Sequence, residues 1–194
     1  MILNTVQPIR DFELIEDIGE FLRLSSYRNF VLWSTGIYAP IRISDILDWK
    51  VRDVRNKDFV SIREKKTGNE QLFPINSELR KILDHYIDGK KDYEYLFASR
   101  QKNGKGIYGP ISRQQAYYIL NVAAKYFKLQ NIGCHTMRKT FGYHYYQQTG
   151  DIITLQEIYG HSHFSITKRY IGLTQEMKNK AVKDFKYKKL RKSS

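Results

Sequence analysis

The residues able to do chemistry in this 194-residue chain crowd into its last third. Between His135 and Tyr170 the sequence reads His135-Thr136-Met137-Arg138, then Gly160-His161-Ser162, then Lys168-Arg169-Tyr170. Far upstream stands Arg42-Ile43-Ser44-Asp45, an arginine and an acidic residue at helical spacing. Arginines, histidines and a tyrosine together suit attack on a phosphodiester. An arginine fork binds two oxygens of one phosphate in a way that lysine cannot. A tyrosine hydroxyl can form a covalent intermediate that divides one difficult step into two easier ones.

Each signal has a plain alternative. His135 and Arg138 stand at i and i+3, so they share one helix face and could meet a phosphate together. Alone, His-x-x-Arg is more often an exposed polar face. Asp45 is expected to hold the Arg42 guanidinium in one rotamer; the alternative is a surface pair worth ~0.2–0.5 kcal/mol. Lys66 falls at the tip of an expected hairpin, where it could protonate a leaving oxygen or be a solvated turn lysine. His161 follows Gly160, a plausible left-handed helix cap. Taken singly, His161 reads as a core histidine and Tyr170 as a core aromatic. Taken together, in this order, the plain readings lose.

Composition points the same way. Lys and Arg total 33 against 20 Asp and Glu, a formal net charge of +13, and the pI is near 9.7. That excess favours a polyanionic partner. Fifteen tyrosines and ten phenylalanines could stack on bases, although most belong in a core. One cysteine, Cys134, excludes an internal disulfide and fits a reducing compartment. A Cys134-His135 nucleophilic pair is disfavoured because adjacent helical residues do not face each other. No apolar run approaches the roughly 18 residues of a membrane span. Met1-Ile2-Leu3-Asn4-Thr5 lacks the layout of a signal peptide. The expectation is a soluble cytoplasmic protein with no membrane partner. No phosphate-cradling glycine motif or Cys/His metal cluster is evident, so neither a cofactor nor a metal site is expected.

Around these residues the chain must build elements to hold them. Phe12, Ile15, Ile18 and Leu22 predict a helix over 10–24 with that face inward. A second helix is expected over 27–35, and a third beginning near Ile41 and carrying Arg42. Phe59 to Arg63 alternates like a strand, Glu70 to Phe73 reads as its partner, and Lys66 to Asn69 as the turn. Asn76 or Ser77 can cap a helix to Asp88 with Leu79, Ile82, Leu83 and Tyr86 inward. Residues 99–110 read as a basic, glycine-containing loop. Helices follow at 113–127, 135–148, 152–158 and 165–170, with a last one near 174–185. The fold class is mainly α with a small antiparallel β-sheet (α+β). One catalytic domain, 1–185, precedes a basic tail, 186–194. Arg100, Lys102, Lys105, Lys139, Lys168 and the tail lysines are candidate non-specific phosphate contacts, with a solvated charge run as the alternative.

The ordered set resembles the tyrosine recombinase (phage integrase) family. The residues that carry the resemblance are Arg42 in Ile41-Arg42-Ile43-Ser44-Asp45-Ile46-Leu47, Lys66 in Lys66-Thr67-Gly68, His135-Thr136-Met137-Arg138-Lys139-Thr140-Phe141, Gly160-His161-Ser162, and Tyr170. The nine-residue step from His161 to Tyr170 matches the family's spacing. The resemblance spans about residues 8–185 and implies that family's catalytic-domain fold. It implies that Tyr170 attacks the scissile phosphate of double-stranded DNA and stays attached to the 3′ end. Arg42 and Arg138 would clamp the non-bridging oxygens, and His161 would add a hydrogen bond. His135 would assist proton transfer at the nucleophile, and Lys66 would protonate the departing 5′ hydroxyl. No metal or ATP would be needed, and a homotetramer on two duplexes would be the working form. A type IB topoisomerase-like nicking-closing enzyme and a non-catalytic DNA-binding accessory protein are the alternatives.

Two departures stand out. Thr35-Gly36 is separated from Arg42 by Ile37-Tyr38-Ala39-Pro40-Ile41, where the family usually has a shorter turn. Larger members also carry an N-terminal domain that completes a clamp around DNA. The resemblance here begins near Pro8, so the expectation is a small integrase or a catalytic fragment with weaker DNA binding.

Overall fold

Apolar residues at helical spacing and well-placed caps build most of the structure, a computed structural model that describes residues 6–63, 70–102, 104, 106–173, 179 and 182–185. Helix α1 runs Phe12–Ser25, opened by the Asp11 carboxylate accepting the Glu13 N–H at 3.0 Å. Its Ile18 and Leu22 are buried as the periodicity predicts, but Phe12 stays 58% exposed. The Phe12 ring instead lies against His144, with centroids 4.1 Å apart. Helix α2 covers Tyr27–Tyr38, three residues longer than expected, and α3 covers Ile43–Leu47. A 3-10 turn at Val51–Asp53 follows.

Strands β1 (Phe59–Arg63) and β2 (Glu70–Pro74) pair antiparallel, from Phe59 opposite Pro74 to Arg63 opposite Glu70. The turn between them lies outside the described residues. Helix α4, Ser77–Ile87, starts as read: the Asn76 side chain accepts the Leu79 N–H at 2.8 Å. Residues 99–110 depart from expectation. Instead of a loop they contribute to a second antiparallel pair, β3 (Ala98–Lys102) with β4 (Tyr108–Pro110), so two small sheets stand where one was expected.

Helices α5 (Arg113–Tyr126), α6 (Cys134–Thr149), α7 (Ile152–Tyr159) and α8 (Phe164–Tyr170) complete the order. Gly150 and Gly160 close α6 and α7 in the left-handed region, φ 68° and 64°, which glycine enters without steric cost. The main core gathers α1 to α5 around Leu22, Leu32, Ile46, Leu83 and Phe97. A smaller cluster, Leu155, Tyr159 and Ile171, sits under α7 and α8 with Phe141 and Tyr170 against it. The segment before α1 lies across α6: the Ile9 N–H donates to Thr140 Oγ1 at 2.9 Å, and His144 Nε2 lies 3.0 Å from the Ile9 carbonyl. Among the described residues, no helix is long and apolar enough to cross a membrane. The tail 186–194 and most of the expected last helix lie outside the described residues.

Candidate active site

The first turn of α6 sets two of the candidate residues. Its start is fixed by Thr136, whose Oγ1 accepts the Gly133 N–H at 3.0 Å. His135 is exposed there, and Arg138 one turn on is buried at 7% exposure. Met137 packs against α2, where a Cβ on Gly36 would run into its side chain. Glycine at position 36 therefore sets how closely α2 and α6 approach.

The α7–α8 hairpin brings the rest. After the Gly160 cap, His161 Nδ1 lies 2.9 Å from Oγ1 of the fully buried Thr167. A Thr167 hydroxyl donating to Nδ1 leaves the ring proton on Nε2, an available donor. Tyr170 ends α8, half-buried on the smaller cluster. Its Oη lies 3.2 Å from His135 Nδ1, and its ring meets the His161 ring at 5.3 Å and 70°.

Arg42 does not ride on α3. It is the residue before the helix, with extended backbone at φ −71° and ψ 142°. Pro40 restricts the backbone just upstream, and the buried Ile41 and Ile43 on either side leave Arg42 exposed. Asp45 makes no ion pair with Arg42 among the described residues; its carboxylate accepts the Ser44 hydroxyl at 3.3 Å. Arg42, Asp45, Gln71, Arg138 and Tyr159 line one cleft. The expected rotamer-holding pair is thus replaced by a shared pocket, in which Asp45 supports the charge on Arg138.

The electrostatics follow from burial beside cations. Desolvation pushes the Tyr170 phenol above its ordinary pKa, while Arg138 and Arg42 pull it down. The His135 pKa is lowered, first by desolvation and then by Arg138, Lys139, Arg113 and Arg42. Desolvation, Arg138 and Arg42 lower His161 in the same way. Both imidazoles therefore favour the neutral form, so His135 can accept a proton from a phenol that holds its own. Burial lowers the Arg138 pKa too, opposed by Tyr170, Tyr159 and Asp45.

Of the sequence candidates, His135, Arg138, His161 and Tyr170 come together, with Arg42 and Asp45 in the adjoining cleft. Lys66 and Lys105 lie outside the described residues. Lys139 Nζ donates to the Val6 carbonyl at 2.8 Å and stands 5.0 Å over the Tyr170 ring. Arg100 and Lys102 are exposed on β3, the latter beside the Tyr108 ring, and Lys168 rests over Phe164 on α8. No group of three or more His, Cys, Asp and Glu placed to hold a metal ion occurs among the described residues.

Sequence reasoning missed Tyr159. It is 1% exposed, its Oη donates to the Arg138 carbonyl at 2.5 Å, and Arg138 Nη2 donates to the Tyr159 carbonyl at 3.2 Å. A signal was present in Gly142. A glycine inside a helix costs roughly 1 kcal/mol and implies close approach, and a Cβ there would strike the Tyr159 hydroxyl and the Ile171 side chain.

Comparison with known proteins gives a family and a fold. The profile described as the phage integrase family matches residues 15–177. The probable integrase/recombinase YoeC of Bacillus subtilis (strain 168) is 43% identical over 183 residues, covering 94% of this chain and 98% of the relative. A tyrosine recombinase of Pseudothermotoga lettingae is 29% identical, covering 90% of this chain but 60% of its own length. The crystal structure of XerA recombinase superposes with a TM-score of 0.73 at 20% identity, covering 93% of this chain and 67% of that one. XerH recombinase bound to its palindromic difH substrate gives a TM-score of 0.66 at 19% identity, covering 93% and 54%. The chain thus spans nearly all of one relative and between 54% and 67% of the others.

Proposed function

This chain belongs to the phage integrase family of tyrosine recombinases, and on that premise we propose that it cuts and rejoins DNA strands at specific sites through a covalent 3′-phosphotyrosyl intermediate. The observation that carries the reading is the 3.2 Å approach of His135 to the Tyr170 hydroxyl, beside two arginines sharing one cleft.

Tyr170 Oη attacks the scissile phosphorus and passes its proton to neutral His135. Arg42 and Arg138 neutralise the charge that grows on the non-bridging oxygens, and His161 Nε2–H adds a hydrogen bond. Groups already fixed in place stabilise developing charge without reorganising. Lys66 gives a proton to the departing 5′ oxygen. A 5′ hydroxyl from a second duplex then attacks the phosphotyrosine, and the same groups run in reverse. In that reversal the incoming 5′ hydroxyl gives its proton to Lys66, and His135 returns its proton to Tyr170.

Double-stranded DNA is the partner, in keeping with the +13 charge and with the DNA held by XerH. A homotetramer on two duplexes, acting within a bacterial or phage-infected cell, is part of the same proposal, as is a single catalytic domain over 1–185.

The test is strand transfer. Covalent complex formed on a nicked duplex is challenged with a second duplex bearing a free 5′ hydroxyl. A recombinase joins the strand to the new duplex. Resealing of the original strand alone would indicate a nicking-closing enzyme, and no covalent complex would indicate a DNA-binding protein.

A further inference from the structure

Tyr159 touches three residues of the site, Arg138, His161 and Tyr170. It ends α7, immediately before the Gly160 cap. Its hydroxyl donates across to the Arg138 carbonyl on α6 at 2.5 Å, and Arg138 Nη2 returns a hydrogen bond to its carbonyl at 3.2 Å. The guanidinium carbon stands 4.6 Å over its ring. The ring centroids of His161 and Tyr170 lie 5.3 and 5.2 Å from its own. We propose that Tyr159 is the positioning residue for Arg138, joining the α6 half of the site to the α7–α8 half; this rests on the recombinase reading above.

A guanidinium has five N–H donors in a rigid fork. Fixing one donor on a backbone carbonyl and one face on an aromatic ring leaves few orientations for the rest. Arg138 Nε is buried with no partner, so the fork is held with a bare donor rather than satisfied by the protein. Burial keeps the Tyr159 phenol neutral, its pKa pushed far up, so the hydroxyl remains a donor at every working pH. A leucine or phenylalanine would fill the space and keep the backbone carbonyl, but would lose the hydroxyl's bond to the Arg138 carbonyl. Gly142 supplies the room for this contact, since a Cβ would collide with the hydroxyl.

The experiment compares wild type, Tyr159→Phe, Tyr159→Leu and Arg138→Ala in single-turnover cleavage. Each is run on an ordinary scissile phosphodiester and on one carrying a methylphosphonate, which removes a charged non-bridging oxygen. Arg138 has less charge to stabilise on the neutral substrate, so a defect that acts through Arg138 shrinks there. Tyr159→Leu should lose about 10²-fold on the phosphodiester, the scale for a misplaced group, and stay within a few-fold of wild type on the methylphosphonate. Tyr159→Phe should lose about tenfold with the same recovery, from loss of one preorganising hydrogen bond. Adding Tyr159→Leu to Arg138→Ala should cost nothing further, the mark of two residues acting as one.

Equal losses on both substrates, an additive double variant, or Tyr159→Phe cleaving the phosphodiester at the wild-type rate would each overturn the role. Should Tyr159→Leu fail to fold, Tyr159→Phe, which keeps the packing, decides alone. Absence of wild-type cleavage on the phosphodiester would instead overturn the recombinase reading and this inference with it.

Discussion

His135 Nδ1 lies 3.2 Å from Tyr170 Oη, although the two residues are 35 positions apart. Phenol and imidazole come from different helices, α8 and α6, and only the packing of those helices brings them within proton-transfer distance. Desolvation at the site keeps the phenol protonated, and desolvation together with the neighbouring cations favours the neutral imidazole. That combination is what a base and a nucleophile need at neutral pH.

The first prediction concerns acid. The His135 pKa is depressed from 6.5, so the neutral base persists below the ordinary histidine range. Rates measured at subsaturating DNA report the free enzyme. Their acid limb should fall below pH 6.5, and His135→Gln should remove that limb along with most of the activity. A limb above 6.5, or one unchanged in the variant, would dismiss His135 as the base.

Arg138→Lys keeps the charge but loses the fork. Single-turnover cleavage should drop by about 10²-fold, the scale for one lost preorganised donor. A rate within a few-fold of wild type would mean that the buried guanidinium is structural.

Gly142→Ala should destabilise the fold by about 1–3 kcal/mol, the usual cost of overpacking, because the new Cβ meets the Tyr159 hydroxyl. Combining it with Tyr159→Phe should recover part of the loss in thermal unfolding, the remainder belonging to Ile171 and to the ring carbon Cζ that phenylalanine keeps. No recovery would place the clash elsewhere.

Much of this was legible in the sequence. The Asn76 and Gly160 caps work through local hydrogen bonds and backbone freedom, which residue identity nearly decides. The missed features depend on distant partners. Ala98-Ser99-Arg100-Gln101-Lys102 has no apolar alternation, and Pro110 ends its partner strand, so β3 and β4 exist through pairing that no local pattern announces. Arg42 sits before α3 because buried Ile41 and Ile43 set its backbone, not because of its own propensity. Tyr159 was legible as a core aromatic from its spacing to Leu155, but not its hydrogen bonds to a helix met only in three dimensions.

The role of Lys66 is tested at the leaving group. If it protonates the leaving 5′ oxygen, Lys66→Ala should slow cleavage of a normal phosphodiester. A 5′-bridging phosphorothiolate leaves as a stable thiolate and needs little general-acid help. Lys66→Ala should recover much of its rate there, while Arg42→Ala should not, because phosphate charge still needs stabilising. Equal behaviour of the two variants would make Lys66 a phosphate contact or a solvated turn residue.

The most direct test isolates the covalent complex itself. Nicked suicide duplexes from a randomised pool are incubated with the protein, and the DNA that acquires protein is recovered, digested with protease and sequenced by mass spectrometry. A 3′-phosphate should be found attached to the peptide containing Tyr170, with no adduct from Tyr170→Phe, which should still bind the same DNA. A phosphate on another residue, or an adduct that survives Tyr170→Phe, would contradict Tyr170 as the nucleophile.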